Sequence, residues 1–532
     1  MKNQKLALNK FVWCAAVLAS FLGGGYAATV DNVTDLTNQI HTAASGSTIY
    51  LAKGRYDISA CRGDLMGGSA TTTSLLAIPN GRTLTLAGAP GTARGDVIMT
   101  APGSARRMLF LNKGTLVCSN LTFTGASDGA IRVGNADGKL FLYDCVFSNL
   151  TATSGAAVSR YYPSADARGA NDFYGCLFAD CHATGGKSGK SGAHDFRGGN
   201  AYGCVYSNCT STASGGAVTG GNYVRCSFYA CTTSTTESGQ GGGAIGSDYE
   251  TNVGFCTDCA FVACETTGEA GGVHGAAVYQ ATALTNCTFR DNVAHVNEIV
   301  FQSGEIVGCT FEGNDSDGVL FGGASLVLNT RLVANRTGAT LSQNTPGIVA
   351  NTLVASNTCT KAQGIFTSGQ FVNCSFIGNF CTSGRVNDSI LGAACVAVNC
   401  LFYQNRAHNL TYNDMAMRFV EQTLTTPLSP YLTNSVWTAE TTYNDAHTTA
   451  AYARTEGCQL QANLRLTFSG AADEPFYTLG ASAFARHGGL VTDEIRAIVG
   501  TTDLAGRRRF TGETISLGCY EHQERGLLWI LR

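Results

Sequence analysis

The chain has 532 residues, of which 44% are hydrophobic and 14% are charged, and this apolar content is enough to bury a large core. Its 35 Lys and Arg face 38 Asp and Glu, so the formal net charge is only −3. No cationic field therefore favours nucleic acid or an anionic membrane. The composition excludes a disordered polyelectrolyte and argues against nucleic acid as a partner.

The first predicted element is an export signal. A lysine-bearing head precedes an apolar stretch (FVWCAAVLASFLGG), and small residues (GYAATV) follow it. We predict a signal peptide over residues 1–27; the alternatives are a core helix and a lipid anchor on Cys14, where Trp13 occupies the place of a small residue. No later segment has 18 consecutive apolar residues. The mature protein is expected to be secreted or on the surface of a bacterium, without a membrane span.

The next predicted element is a short helical cap. Val33, Leu36, Ile40 and Ala43 recur at helical spacing and form one apolar face, and the segment TIYLA then begins the first strand. A cap is needed because the end of a stacked sheet presents unpaired backbone groups.

A repeat occupies most of the remaining chain, in phrases built on Cys-x-Phe. The copies are about 21 to 33 residues apart, which excludes helical repeats of 34 residues or more, and their runs are short and β-rich. The cysteines of this position are Cys145, Cys176, Cys204, Cys226, Cys259, Cys287, Cys309, Cys374 and Cys400, with Leu121, Thr330 and Thr352 in three further copies. We predict an all-β, right-handed parallel β-helix of about 12 or more coils, in which equivalent residues stack.

A second fixed position lies five residues after the first. It holds Cys181, Cys209, Cys231 and Cys264 and then Asn292, Asn314, Asn335, Asn357, Asn379 and Asn405. We interpret the first position as an inward ladder of small apolar residues and the second as a turn, where asparagine adopts the left-handed conformation and bonds to the amide of the next coil. Small pairs such as Ala156-Ala157 and Ala276-Ala277 predict a third corner with close strand approach.

These coils resemble the right-handed parallel β-helix of the pectin-lyase-like superfamily and the repeats of polymorphic outer-membrane proteins. The ending, from Asp503 through Arg509 to Glu521, resembles that of bacterial surface β-helix proteins with a choice-of-anchor Q domain, although Ser516 and Cys519 replace the usual Asp and Ala. The predicted organisation is a signal peptide (1–27), a capped β-helix (28–410), an irregular connection (411–457) and a C-terminal β-rich capping or anchor-like module (458–532).

Cysteine chemistry has three alternatives. The pattern Cys256-x-x-Cys259, with Cys264 and His274, is typical of a zinc site, but two of these cysteines are already explained by the repeat. Stacked cysteines fit the geometry of a disulfide poorly, so we expect mostly buried thiols with at most a few bonds among the second-position cysteines. We therefore predict no metal and no other cofactor, with calcium required only if the protein is a lyase.

The candidate binding residues follow the small-residue corner in successive copies. Inserted loops on one flank of a solenoid are where function usually lies, and aromatic and charged side chains suit sugar rings. The candidate carbohydrate-binding residues are Arg160, Tyr161, Tyr162, His194, Asp195, Arg197, Asp248, Tyr249, Glu250 and Tyr279. His194 is the candidate general base by residue type.

The sequence predicts an adhesin-like or glycan-contacting scaffold whose partner is a polysaccharide or a surface glycan of a host or neighbouring cell. The alternatives are a polysaccharide lyase or glycoside hydrolase that acts on acidic polysaccharide, and a purely structural surface protein. Paired Asp residues, GHG and RIK are missing from the chain, so no catalytic residue is assigned.

Overall fold

The computed structural model describes residues 27–62, 74–134, 137–160, 171–185, 190–195, 199–236, 240–246, 253–268, 272–301, 303–343, 347–361, 364–382, 389–407, 431–433, 436–438, 455–456, 459–461, 467–468, 478–479, 486–510 and 514–521. The chain divides into two units, each compact in its internal contacts. Unit 1 comprises residues 1–254 and 264–268, and unit 2 comprises 255–263 and 269–532. The predicted signal peptide lies outside the described residues except for Ala27.

Unit 1 contains three sets of parallel strands, here called sheets A, B and C. Sheet A has Ala27–Val30, Ser47–Leu51, Thr83–Gly88, Gly114–Ser119, Gly138–Tyr143, Asn171–Tyr174, Asn200–Tyr202 and Gly221–Val224. Sheet B has Gly54–Asp57, Val97–Thr100, Thr122–Thr124, Val146–Ala152, Leu177–Ala183, Val205–Ser207, Thr210–Ser211, Ser227–Tyr229, Thr232–Thr233 and Glu265–Thr266. Sheet C has Ser74–Ile78, Arg107–Leu111, Ile131–Val133, Val158–Arg160, His194–Asp195, Val218–Thr219 and Ile245–Gly246; a short strand, Gln240–Gly241, precedes the last of these.

Unit 2 repeats the three sheets, and the strand Val253–Thr257 spans the division between the units. Sheet A has Ala281–Thr285, Glu305–Val307, Leu326–Leu328, Ile348–Ala350, Gly364–Val372, Ser389–Val398, Tyr431–Thr433 and Thr455–Glu456. Sheet B has Ala260–Val262, Thr288–Arg290, Val293–Ala294, Thr310–Glu312, Asp315–Ser316, Arg331–Val333, Arg336–Thr337, Leu353–Ala355, Thr358–Cys359, Ser375–Ile377, Phe380–Cys381, Leu401–Tyr403, Arg406–Ala407, Val436–Thr438 and Gln459–Gln461. Sheet C has Val278–Tyr279, Val300–Phe301, Phe321–Gly322 and Ser342–Gln343; Val273–His274 precedes it, and Thr467–Phe468 pairs antiparallel with Thr478–Leu479.

The predicted vertical register is confirmed by the strand pairing. In unit 1, Phe123, Phe147 and Phe178 are directly paired in successive coils, and their rings stack with centroids 4.9 and 5.2 Å apart. In unit 2, Phe289 and Phe311 are paired in the same way, with ring centroids 4.5 Å apart. The first-position cysteines of both units are at most 2% exposed. Each unit is therefore a parallel β-helix, and the expected all-β solenoid fold is confirmed.

The left-handed corner residue lies one place earlier than we expected. The backbone φ is +54° at Asp291 and at Ala334, the residues that precede the ladder residues Asn292 and Asn335. The residue before the first-position cysteine also has positive φ, as at Asp144 and Asn286. The chain turns at the preceding residue, and this turn directs the ladder side chain inward. The left-handed assignment of the ladder asparagines is thus wrong, whereas the predicted bond from each asparagine to the amide of the next coil is confirmed.

Cysteine and asparagine at the second position bond to the same backbone group. The thiol of Cys209 contacts the carbonyl oxygen of Phe178 in the preceding coil at 3.6 Å, and the amide of Asn335 donates to that of Phe311 at 2.9 Å. Asparagine adds a second bond, because its amide also donates to the carbonyl of the next asparagine from Asn292 through to Asn405. Both residue types therefore supply a hydrogen-bond donor to a backbone carbonyl that the corner takes out of the hydrogen-bond ladder between strands.

The described cysteines occur as thiols, and no disulfide forms among them. Burial raises the pKa of the Cys176 and Cys181 thiols well above the ordinary value, which disfavours the reactive thiolate. The expectation of mostly buried thiols is confirmed for this part of the chain, and the alternative of turn disulfides is not realised in it.

The N-terminal cap is the helix Val33–Thr42, which buries Leu36 and Ile40 completely. Asn32 caps it by accepting a hydrogen bond from the amide of Asp35 at 2.8 Å. No helix among the residues that the structure describes has the length and apolar character needed to cross a membrane.

Strand pairing continues beyond residue 410. Within the range 411–457, where we expected an irregular connection, Tyr431–Thr433 and Val436–Thr438 pair in parallel with the preceding coil. Gln459–Gln461 then pairs with Val436–Thr438. The repeat signal fades there although the described strands keep the backbone register, in which Trp437 is paired with Phe402.

The residues 486–510 and 514–521, here called the C-terminal clasp, pack on the side of the unit 2 coils. Three left-handed asparagines hold the clasp: the amide groups of Asn351, Asn373 and Asn399 donate to the carbonyls of Thr502, Ser516 and Leu490 at 3.2, 3.0 and 2.8 Å. The clasp includes the helix Asp493–Val499, whose Ile495 and Val499 pack against Ala350 and Val372. The predicted β-rich module is therefore helical in part, and it covers an outer face.

Side chains of the anchor-like ending form a buried cluster of hydrogen-bonded polar groups in the clasp. Asp503 accepts from the amide of Glu521 at 2.8 Å, and Glu521 accepts from the Ser516 hydroxyl at 2.9 Å. Arg509 is fully buried and donates to the carbonyl of Gly518 at 2.7 Å. Burial raises the pKa of Glu521 to about 7 and lowers that of Arg509. The residues that carry the resemblance hold the clasp together.

Candidate functional site

His194, a predicted groove residue, lies inside unit 1. It pairs with Val158 on one side and Val218 on the other, so it occupies a place in an inward aliphatic column of sheet C. The side chain is fully buried, and its Nε2 lies 2.7 Å from the Tyr206 hydroxyl. Burial lowers the pKa of His194 well below its ordinary value and keeps the ring neutral. The expectation that His194 lines an outer groove as a general base is therefore wrong.

Asp195 belongs to a buried polar network at the small-residue corner. Its carboxylate accepts hydrogen bonds from the hydroxyls of Ser154 and Ser191, both at 2.5 Å. Arg107, also buried, donates to the carbonyls of Ser154 and Gly155. Burial raises the pKa of Asp195 and lowers that of Arg107 to about 10. The network links three coils of the corner through side-chain bonds.

The other unit 1 candidates are only partly described. Arg160 ends a strand of sheet C and is 7% exposed. Tyr161, Tyr162, Arg197, Asp248, Tyr249 and Glu250 lie outside the described residues. Glycan binding by Arg160, by Asp195 and by these six remains a prediction.

Tyr279 is the predicted site residue that the structure places in an aromatic group. Its ring lies 4.9 Å from the ring of Phe301, the residue paired with it on the next coil of unit 2. The imidazole of His274 stacks on Phe301 with centroids 4.0 Å apart and lies 6.2 Å from Tyr279. Phe301 and His274 are partly exposed. Aromatic rings next to polar atoms are the usual means of holding sugar rings.

A buried carboxylate orients the histidine of this group. His274 Nδ1 lies 2.8 Å from Glu298 Oε2, and the side chains of His274 and Glu298 are 22% and 3% exposed. An ionised carboxylate can only accept, so with Glu298 ionised Nδ1 carries the hydrogen and Nε2 is the nitrogen that can take a proton. We call His274, Tyr279, Glu298 and Phe301 the His274 patch.

Sequence reasoning missed three members of the His274 patch. The backbone carbonyl of Glu298 accepts from the amide of Ala276, so Glu298 occupies the register place that the preceding coil gives to a small residue. This break in the small-residue corner was the available signal. His274 was considered only as a zinc ligand, and Phe301 falls outside the Cys-x-Phe phrases.

The described residues include no group of three or more His, Cys, Asp or Glu side chains arranged to hold a metal ion. His274 instead pairs with Glu298, and Cys259 is buried at its ladder position. The zinc alternative for Cys256, Cys259, Cys264 and His274 thus finds no support in this part of the chain.

Fold and site together define a parallel β-helix with an aromatic patch on one flank. No protein-family profile matches the sequence, and no curated protein matches it. Similar solved structures include the A-module of mannuronan C-5 epimerase AlgE4 from Azotobacter vinelandii, at 12% identity, a TM-score of 0.24 and coverage of 74% of this chain and 95% of that chain. Another is the PL6 family polysaccharide lyase Pedsa3628 from Pseudopedobacter saltans, at 12% identity, a TM-score of 0.22 and coverage of 82% and 93%.

A third similar structure is tailspike protein 3 of bacteriophage CBA120, at 13% identity, a TM-score of 0.21 and coverage of 81% of this chain and 57% of that chain. At such TM-scores these similarities carry no argument about function. The fold assignment rests on the strand pairing of the chain itself.

Proposed function

We propose that the protein is an exported bacterial β-helix, secreted or held at the cell surface, that contacts glycans through the His274 patch. The observation that carries this proposal is the Tyr279–Phe301 ring pair beside a partly exposed His274 and a buried Glu298. Ring faces suit the apolar faces of sugars, and a histidine beside a carboxylate offers directed hydrogen bonds to hydroxyls. The likeness of the ending to surface proteins supports attachment to a cell, and the predicted signal peptide supports export.

The test is a glycan array with the full mature chain, two patch variants and one control variant. Phe301→Ala and His274→Ala are each expected to weaken binding about tenfold or more, because each removes a contact surface of the patch. Phe380→Ala is the matched control, since Phe380 is an exposed aromatic residue on sheet B of the same unit. Circular dichroism checks that every protein is folded. Unchanged binding in both patch variants would contradict the proposal.

A second candidate is an enzyme that cleaves polysaccharide. The bond between Glu298 and His274 favours it, because a carboxylate that fixes one imidazole nitrogen prepares the other as a general base. Such an enzyme would release reducing ends, or unsaturated uronates if it is a lyase. Turnover that is lost in both His274→Ala and Glu298→Gln but kept in Phe380→Ala would establish this candidate. Binding without turnover would contradict the enzyme candidate and support the glycan-contacting scaffold.

A further inference from the structure

We propose that the His274 patch selects neutral or amino-bearing sugar units and rejects uronic acids. This inference rests on the proposed function and adds the chemical class of the ligand. It departs from the acidic polysaccharide that the sequence resemblance implied.

The charge inside the patch disfavours a uronate. Glu298 is almost fully buried against the coil and bonds to His274. With Glu298 ionised, the Glu298–His274 pair carries no net positive charge. A charge that is removed from water is weakly screened, and a second carboxylate brought next to it is repelled.

Cationic side chains are scarce in the coils that form the patch. Residues 269–322 contain no lysine and one arginine, Arg290, against seven Asp and Glu. Arg290 ends a strand of sheet B, whereas Tyr279 and Phe301 lie on sheet C. Its Nε is 3.7 Å from the carboxylate of Asp291. These coils therefore offer no guanidinium or ammonium of their own on the flank of the patch.

Recognition of a uronate normally uses such cations. Arginine binds carboxylates with two parallel hydrogen bonds, and lysine supplies a compact positive charge. A patch made of a carboxylate, an imidazole and two aromatic rings suits other groups. Hydroxyls and acetamides bond to the imidazole edge, and a protonated amine is attracted by the partly exposed ring of Phe301 and by the charge of Glu298.

The test measures binding of the full mature chain to three oligosaccharide series of equal length. These are neutral chito-oligosaccharides, glucosamine oligomers and oligogalacturonates, compared by calorimetry at low and high salt. We expect the neutral or the amino series to bind at least about tenfold more tightly than the uronate series. Glu298→Gln should reduce this difference in affinity by strengthening uronate binding. Glu305→Gln, at an exposed position on sheet A, should leave the difference unchanged.

Uronate oligomers that bind as tightly as the other series, and lose binding in Phe301→Ala, would overturn this inference and leave the proposed function intact. Failure of all three series to bind would overturn both. Binding that survives Phe301→Ala would place the ligand elsewhere on the molecule and likewise contradict both.

Discussion

His194 and Tyr206 form a 2.7 Å hydrogen bond between two fully buried side chains of unit 1. Each interrupts a column of apolar residues: His194 stands between Val158 and Val218, and Tyr206 stacks between Phe178 and Phe228. A buried polar atom is tolerated only with a partner, so the two departures from the repeat satisfy each other.

This pairing predicts strong coupling between the two positions. Tyr206→Phe and His194→Val should each lower the free energy of unfolding by about 1 to 3 kcal/mol, because each leaves a buried polar group without its partner. The double variant should cost less than the sum, with a coupling of about 0.5 kcal/mol or more. Urea unfolding of the four proteins measures the cycle. Additive costs would show that the bond does not hold the pair together.

The same histidine predicts a loss of stability in acid. The pKa of His194 lies well below 6.5 in the folded protein, whereas the unfolded chain takes up a proton near the ordinary value. The stability contribution is therefore complete above pH 6.5 and falls as the pH drops below it, by up to about 1.4 kcal/mol per pH unit.

The control for the acid effect is the His194→Val, Tyr206→Phe double variant, which retains the carboxylates and lacks this titration. Unfolding free energies between about pH 6.5 and pH 5 should fall more steeply in the parent than in the double variant. Parallel pH curves would contradict the assignment of a neutral buried histidine.

The asparagine ladder predicts a graded series at one position. Asn335 donates to Phe311 and Asn357 and accepts from Asn314. Asn335→Ala leaves these buried groups without partners and should cost about 3 kcal/mol or more. Asn335→Cys should cost less than the alanine change, since a thiol reaches the equivalent carbonyl in unit 1. The control Arg336→Ala removes only exposed ion pairs, with Asp315 and Asp317, and should cost about 1 kcal/mol or less.

Thermal or urea unfolding ranks these three variants. An alanine variant as stable as the arginine control would show that the ladder contributes little. A cysteine variant less stable than the alanine variant would contradict the shared role of the two residue types.

We predict that part of the clasp detaches from the unit 2 coils when the side chain of one asparagine is removed. Asn399 exchanges two hydrogen bonds with Leu490, at 2.7 and 2.8 Å. Asn399→Gly keeps the left-handed corner available and removes both bonds, so amides of Leu490 and of residues 514–521 should exchange with deuterium faster. Asn286→Gly is the matched control, because Asn286 has the same backbone conformation and bonds to Asp258 of the preceding coil. Equal exchange in the two variants would contradict the clasp contact.

The coil repeat could be predicted because its signal is local. Cysteine, asparagine and phenylalanine recur at a nearly constant spacing, and a parallel sheet places equal positions above one another. The corner conformation was misassigned by one residue, since Ala334 and Asp291 adopt it in place of the asparagines that follow them. Composition alone does not show which of two adjacent residues turns the chain.

The sequence by itself determined the solenoid, its inward ladders, its helical cap and its buried thiols, because each depends on residue type at a fixed place in the coil. Only the tertiary structure decided the partners that lie far apart along the chain. The bond from His274 to Glu298 crosses 24 residues, and that from Asn399 to Leu490 crosses 91. The spacing of the repeat predicts that residues about one coil apart are neighbours, but it does not show which side chains bond there or where a later segment packs.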